Sequence, residues 1–240
     1  MPYVSHHKGL LIAFDGLDST GKETQSNKLI DRLCFSDHQT TGLRSPDYST
    51  PSGQKLKLRL QNKLGDWATT PWQQKMKYFA ANRAEHKDQV NTVLDADQIV
   101  IYDRYVPSSV AFMIVEALPP QEVELFREEI GRAVEREEYL ENRMPKEDVS
   151  IFLDIPPEVS AALLEKRKHG QKEDAEYTDH LHVQQRLYNE YDFLCRTQPH
   201  RFIRIKCTDG TELLGVDDIA ELVWESLITK FPLLEPRTSE

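Results

Sequence analysis

From Gly16 to Lys22 the chain reads Gly-Leu-Asp-Ser-Thr-Gly-Lys, the spacing Gly-x-x-x-x-Gly-Lys. Two glycines at that spacing let backbone N–H groups curl around a phosphate, and a following helix would offer its positive end. The lysine then reaches the outer phosphates as a point charge. The residue after such a lysine is normally Ser or Thr, whose hydroxyl ligates Mg²⁺. Here it is Glu23, with Thr24 one place on. A carboxylate can also ligate Mg²⁺, but it adds negative charge beside the phosphates.

Two further groupings could do chemistry. Asp103-Arg104-Tyr105 follows the apolar run Ile99-Val100-Ile101-Tyr102. A carboxylate at a strand end opposite a phosphate cradle is suited to Mg²⁺, and an arginine beside it to clamping a second phosphate. Phe79 and Arg83 are four residues apart and so share one face of a helix. A flat apolar ring accepts any base, while a guanidinium fork selects a hydrogen-bond acceptor. Taken alone, the same pair is better read as a core Phe and a surface Arg; the loop and the Asp103-Arg104 motif together favour the base contact.

The elements that must hold these groups follow from the hydrophobic pattern. Near-continuous apolar runs at Leu10–Phe14, Gln98–Tyr102, Val149–Leu153 and Arg201–Ile205 predict strands covered on both faces, with a weaker strand at 42–45. Between them, helical patterns occupy 51–62, 70–94, 107–117, 121–140, 156–168, 178–196 and 216–230. This alternation predicts an α/β fold, a doubly wound parallel sheet of about five strands with helices on both faces. Ligands then bind at the carboxyl ends of the strands, where the groups named above lie. Asp154 also ends a strand, and its expected role is structural, at the start of the next helix.

Short connections and the absence of a Gly/Ser-rich linker predict a single domain over residues 1–240, with a loose tail at 232–240. The chain carries 40 acidic against 30 basic side chains, a net charge of −10, which disfavours nucleic-acid binding. No apolar run approaches the roughly 20 residues of a membrane span, and Met1–Lys8 lacks a signal-type apolar core. The expected location is cytoplasmic. Cys34, Cys195 and Cys207 form no close pair and are expected to be reduced. The Glu- and Arg-rich segment 121–148 is expected to be a solvated amphipathic helix.

Read together, these motifs resemble the thymidylate kinase family, P-loop enzymes that pass a phosphoryl group from ATP to dTMP, over roughly Leu10 to Cys207. The resemblance implies a P-loop kinase architecture with a mobile lid, Mg²⁺ as cofactor, nucleotide substrates and a homodimer. It implies donor contacts at Gly16, Ser19, Thr20, Gly21, Lys22, Glu23 and Thr24, and a sugar 3′-hydroxyl contact at Asp18. It implies base stacking on Phe79, a base-carbonyl contact at Arg83, Mg²⁺ at Asp103 and the acceptor phosphate at Arg104. Ser108 and Phe112 would line the sugar pocket, and Tyr48 stands where some members carry a phosphate-binding arginine. Ser19 occupies the loop place of a catalytic arginine, which shifts that role to a lid at about 166–178, with Arg167 as its cation and Lys168 and Lys172 behind it. Two alternatives stay open at this point: a kinase for another deoxynucleotide or nucleoside, and a nucleotide-binding protein whose turnover Glu23 impairs. A GTPase switch is disfavoured, since no Asn-Lys-x-Asp motif follows any strand.

Overall fold

The computed structural model describes residues 7–168, 180–210 and 212–235. Five parallel strands form one sheet: β1 (Leu10–Asp15), β2 (Thr40–Arg44), β3 (Ile99–Asp103), β4 (Val149–Asp154) and β5 (Phe202–Lys206), in the order β2-β3-β1-β4-β5. The predicted doubly wound α/β sheet is therefore present. Alternate residues of β1 enter different cores, as a strand periodicity of two requires. Leu11 and Ala13 join one cluster with Val100 and Tyr102, while Ile12 and Phe14 join the other with Ile99 and Ile101.

Helices α1 (Lys22–Phe35) and α9 (Val216–Lys230) cover the second cluster through Leu29, Leu33, Val223 and Leu227. The first is covered by α3 (Trp72–Ala84), α4 (Lys87–Asp95), α5 (Val106–Ala117), α6 (Val123–Glu135) and α8 (Leu181–Thr197), through residues such as Met76, Val90, Met113, Val134 and Leu187. Helices α2 (Pro51–Leu60) and α7 (Pro157–Lys168) complete the set, and a hairpin of β6 (Thr208–Asp209) and β7 (Glu212–Leu213), which the pattern did not signal, precedes α9. No helix among the described residues is long and apolar enough to cross a membrane.

The helix expected over 70–94 is two helices, α3 and α4. The break comes at Glu85 and His86, both engaged elsewhere: Glu85 accepts from the Ser52 N–H at 3.0 Å, and His86 lies 3.0 Å from Asp47. These contacts tie the break to the start of α2, a tertiary demand that local helical periodicity does not report.

The acidic segment departs from a wholly solvated helix. A 3₁₀ turn (Pro120–Glu122) precedes α6, a π-helical turn (Arg136–Glu141) follows it, and residues 144–148 are irregular. Glu138 and Glu147 are buried and paired with Arg83 and Arg201. Cys34 is exposed, whereas burial pushes the Cys195 and Cys207 thiols up to about 12.

Candidate active site

Strand β1 sits in the middle of the sheet between β3 and β4, and the connections from β1 to β2 and from β3 to β4 run in opposite directions across the sheet. Its carboxyl end and that of β3 flank the crevice where open α/β sheets bind ligands. The loop after β1 turns through Gly16 at φ +146° and Gly21 at φ +82°, the latter ending the loop at the start of α1. A side chain at Gly21 would meet nothing within 4 Å, so backbone conformation rather than space requires glycine there. Ser19 at φ +57° is held left-handed without that freedom, the kind of local strain common at ligand sites.

Lys22 opens α1 and is 6% exposed. Its Nζ donates to the Leu17 carbonyl and to Thr20 Oγ1 at 3.3 Å. Burial, with Arg104 nearby, pushes the ammonium down to about 7, against the opposing pull of Asp18, Asp103 and Asp15. Desolvation disfavours a charge that has no full counter-ion of its own.

Arg104 follows β3 in a left-handed backbone at φ +67°. Its N–H bonds the Phe14 carbonyl at 2.9 Å, Nη1 donates to the Gly16 carbonyl at 2.9 Å, and Nη2 pairs with Asp18. The loop after β1 itself thus fixes the guanidinium. Asp18 is further tied to α8: its Oδ2 accepts from Gln184 Nε2 at 3.0 Å, and its N–H donates to Gln184 Oε1 at 3.2 Å. Beneath them lies Asp15, fully buried, which accepts from the Ser108 and Ser150 hydroxyls and from the Tyr105 N–H. Ser108 also bonds Tyr191 at 2.9 Å. The base of the first loop and the start of α5 are thereby one hydrogen-bonded unit.

A cavity of about 810 Å³ opens above this unit. Its lining includes Asp18 and Ser19 to Thr24 of the first loop and helix, Tyr48, Phe79, Arg83 and Phe112, and Asp103 and Arg104 from the end of β3. The expected donor and acceptor residues from the loop to Phe112 therefore meet in one space, apart from Gly16, which contributes through its carbonyl to Arg104. Phe79 is half-buried and edge-on to both Phe112 (5.6 Å between ring centres) and Trp67 (6.1 Å). Arg83 lines the cavity yet is ion-paired with Glu138.

Asp103 Oδ1 is buried without a hydrogen-bond partner, and no cluster of three or more metal-ligating side chains occurs among the described residues. That suits Mg²⁺, which is commonly held by one or two carboxylates together with substrate phosphates. Glu23 lies 3.3 Å from Arg44 Nη2, whose other near neighbour is Asp103 at 3.8 Å. An arginine from the end of β2 thus offsets the unexpected carboxylate.

Asp154 is not among the cavity residues. It accepts from Tyr188 at 2.9 Å and Arg204 at 2.8 Å, so its role is structural, as expected, but it joins β5 to α8 rather than starting a helix. Arg167 and Lys168 fall in α7 with their side chains outside the described residues, and Lys172 and the rest of the expected lid from 169 on lie outside the described residues altogether. Gln184, Tyr191 and Arg44 gave no local signal: each is one polar residue in an ordinary helix or strand, given a role only by tertiary contact.

A family model described as thymidylate kinase matches residues 14–216. A thymidylate kinase of Lactobacillus helveticus is 24% identical over 232 residues, spanning 94% of this chain and 98% of that protein. A human thymidylate kinase is 36% identical over 107 residues, 44% of this chain and 48% of that protein. The solved structure of a Candida albicans thymidylate kinase superposes with a TM-score of 0.67 at 23% identity, covering 96% of both chains.

Proposed function

The chain belongs to the thymidylate kinase family, and with that as premise we propose how its residues carry the γ-phosphoryl group from ATP to the 5′-phosphate of dTMP, giving ADP and dTDP. An acceptor phosphate oxygen attacks the γ-phosphorus, and the bond from that phosphorus to the β,γ-bridging oxygen breaks. No covalent enzyme intermediate is required. The observation that carries the reading is the shared cavity, which Lys22, Phe79 and Arg104 all line.

Lys22 and the amides of Gly16–Thr24 bind the donor phosphates, and Arg104 clamps the acceptor phosphate. Asp18 contacts the sugar, Phe79 stacks on the base, Arg83 bonds its carbonyl, and Ser108 and Phe112 shape the sugar side, with Tyr48 near the acceptor. Asp103 would hold Mg²⁺, which when bound neutralises charge on the phosphates. Arg167 supplies the cation to the migrating group from a lid over about 166–178. We read residues 1–240 as one catalytic domain, acting in the cytoplasm as a homodimer. Exposed Leu125 and Phe126 on α6 are apolar surface that a second copy would cover, and light scattering measures the mass.

The pairing of Glu23 with Arg44 argues against lost turnover, because the added charge is already balanced. A panel of nucleotide acceptors offered with Mg·ATP tests the reading, dTMP being expected to give the highest kcat/KM. No preference for dTMP over dCMP would overturn the thymine assignment.

The low pKa of Lys22 makes a second prediction. Donor phosphates stabilise the ammonium, so one pH unit above about 7 the free enzyme takes up a proton on binding ATP, and one unit below it takes up almost none. Affinity for ATP should accordingly weaken as pH rises through that range, by up to about tenfold per unit. Calorimetry in buffers of different ionisation enthalpy reads the uptake directly. Equal uptake at both pH values would contradict it.

A further inference from the structure

The acidic segment after α5 has no place in the reaction described so far, yet one of its carboxylates pairs with a residue of the cavity lining. Four residues separate Ile130 from Val134 and Val134 from Glu138, so all three fall on the buried stripe of one helical run. Glu138 is 0% exposed, and the π-helical turn delivers it to Arg83, itself 2% exposed. Arg83 Nη1 donates to Glu138, and Nη2 donates to Ser109 Oγ at 3.0 Å and to the Tyr105 carbonyl at 3.5 Å. Nε is buried without a hydrogen-bond partner, although the side chain lines the cavity.

Stability alone is a poor reason for such a pair. A buried ion pair loses hydration on both partners, and two apolar side chains of similar volume commonly serve a core as well or better. Its location beside Phe79 offers another reason. A guanidinium left unbalanced in a nucleotide cavity would attract any phosphate, whereas one neutralised from behind offers N–H groups with little net charge. Fixing a long side chain in advance also removes the ordering that binding would otherwise require.

We propose that Glu138 is a positioning residue for the acceptor base: it pins Arg83 and cancels its charge, so that the remaining N–H donors present themselves to a neutral carbonyl of the base rather than to a phosphate. The inference rests on the reading of Arg83 as the base contact. Glu138 touches no substrate and acts through Arg83 alone.

The test uses the full chain carrying Glu138→Gln, Arg83→Met, or the apolar pair Arg83→Met with Glu138→Leu, the last keeping the core filled if a single change unfolds it. KM for dTMP and for ATP, the dTMP/dCMP ratio of kcat/KM, and the melting temperature are measured for each. Glu138→Gln keeps a hydrogen-bond acceptor and removes the charge, and it is expected to raise KM for dTMP by about tenfold, the scale of replacing a charge-assisted hydrogen bond by a neutral one. KM for ATP should stay within about twofold, and the preference for dTMP over dCMP should shrink, two readouts that a general loosening of the core would not separate. The apolar pair should match Arg83→Met in KM for dTMP, because Glu138 has no effect once Arg83 is gone. A folded Glu138→Gln enzyme with unchanged KM for dTMP would overturn the proposal while leaving Arg83 as the base contact. Unchanged KM in Arg83→Met would remove the base contact itself. An apolar pair clearly worse than Arg83→Met would show that Glu138 acts by another route, and would also overturn the proposal.

Discussion

Replacing Lys22 with alanine is expected to lower kcat by about three orders of magnitude and to leave the melting temperature unchanged or raised. The two effects have one cause. Lys22 is buried, and its ammonium is pushed down to about 7, so the folded chain holds this charge against the cost of removing it from water. Between pH about 7 and the ordinary lysine value of 10.5, the unfolded chain binds the proton more tightly than the folded one. The residue is then a stability cost that shrinks as pH rises through that window. Alanine removes the cost, and with it the only lysine of the donor loop. Loss of activity with an intact circular dichroism spectrum and an equal or higher melting temperature is the expected pattern, read by a coupled ADP-release assay beside thermal denaturation. Near-normal turnover would remove Lys22 from the mechanism, and a fall in melting temperature would contradict the electrostatic account.

What could be read from the sequence follows the range of the interactions involved. Leu10–Asp15 and Ile99–Asp103 are apolar on both faces because they lie inside a parallel sheet, and that composition is a local property. Gly16 and Gly21 mark a loop for the same reason, since a positive φ leaves a residue-level trace. The Phe79–Arg83 spacing likewise put both residues on the cavity wall. Contacts between distant segments left little trace. Nothing near Glu85 and His86 indicates that Ser52 and Asp47 will engage them, so the α3–α4 break was invisible. Arg44 offsets Glu23 only because β2 lies beside β3 in the sheet. Glu138 did leave a clue: an acidic residue stands where the Ile130–Val134 spacing calls for an apolar one. A charge on a buried stripe implies a buried partner, and here the partner, Arg83, lines the cavity.

Arg104 ties the turn that opens α5 to the loop after β1, and its loss should be felt on one substrate only. The guanidinium is held by the Gly16 carbonyl and Asp18, both from the donor loop, while its backbone comes from the turn that opens α5. A planar fork fixed in this way can meet a phosphate with two parallel hydrogen bonds, which an ammonium cannot reproduce. Arg104→Ala is therefore expected to reduce kcat/KM for dTMP by about two to three orders of magnitude, with Arg104→Lys recovering little of it. Dissociation constants for ATP should change by less than about fivefold, because the guanidinium's hydrogen bonds to this loop are to Gly16 and Asp18 and its loss leaves the loop amides and Lys22 in place. Thymidine, which lacks the phosphate, supplies the internal control. Its affinity as a competitive ligand should be nearly the same in wild type and Arg104→Ala, whereas dTMP should lose its advantage over thymidine. If Arg104→Ala weakened thymidine as much as dTMP, the arginine would be shaping the pocket as a whole, and the phosphate clamp would have to be sought elsewhere on the cavity wall.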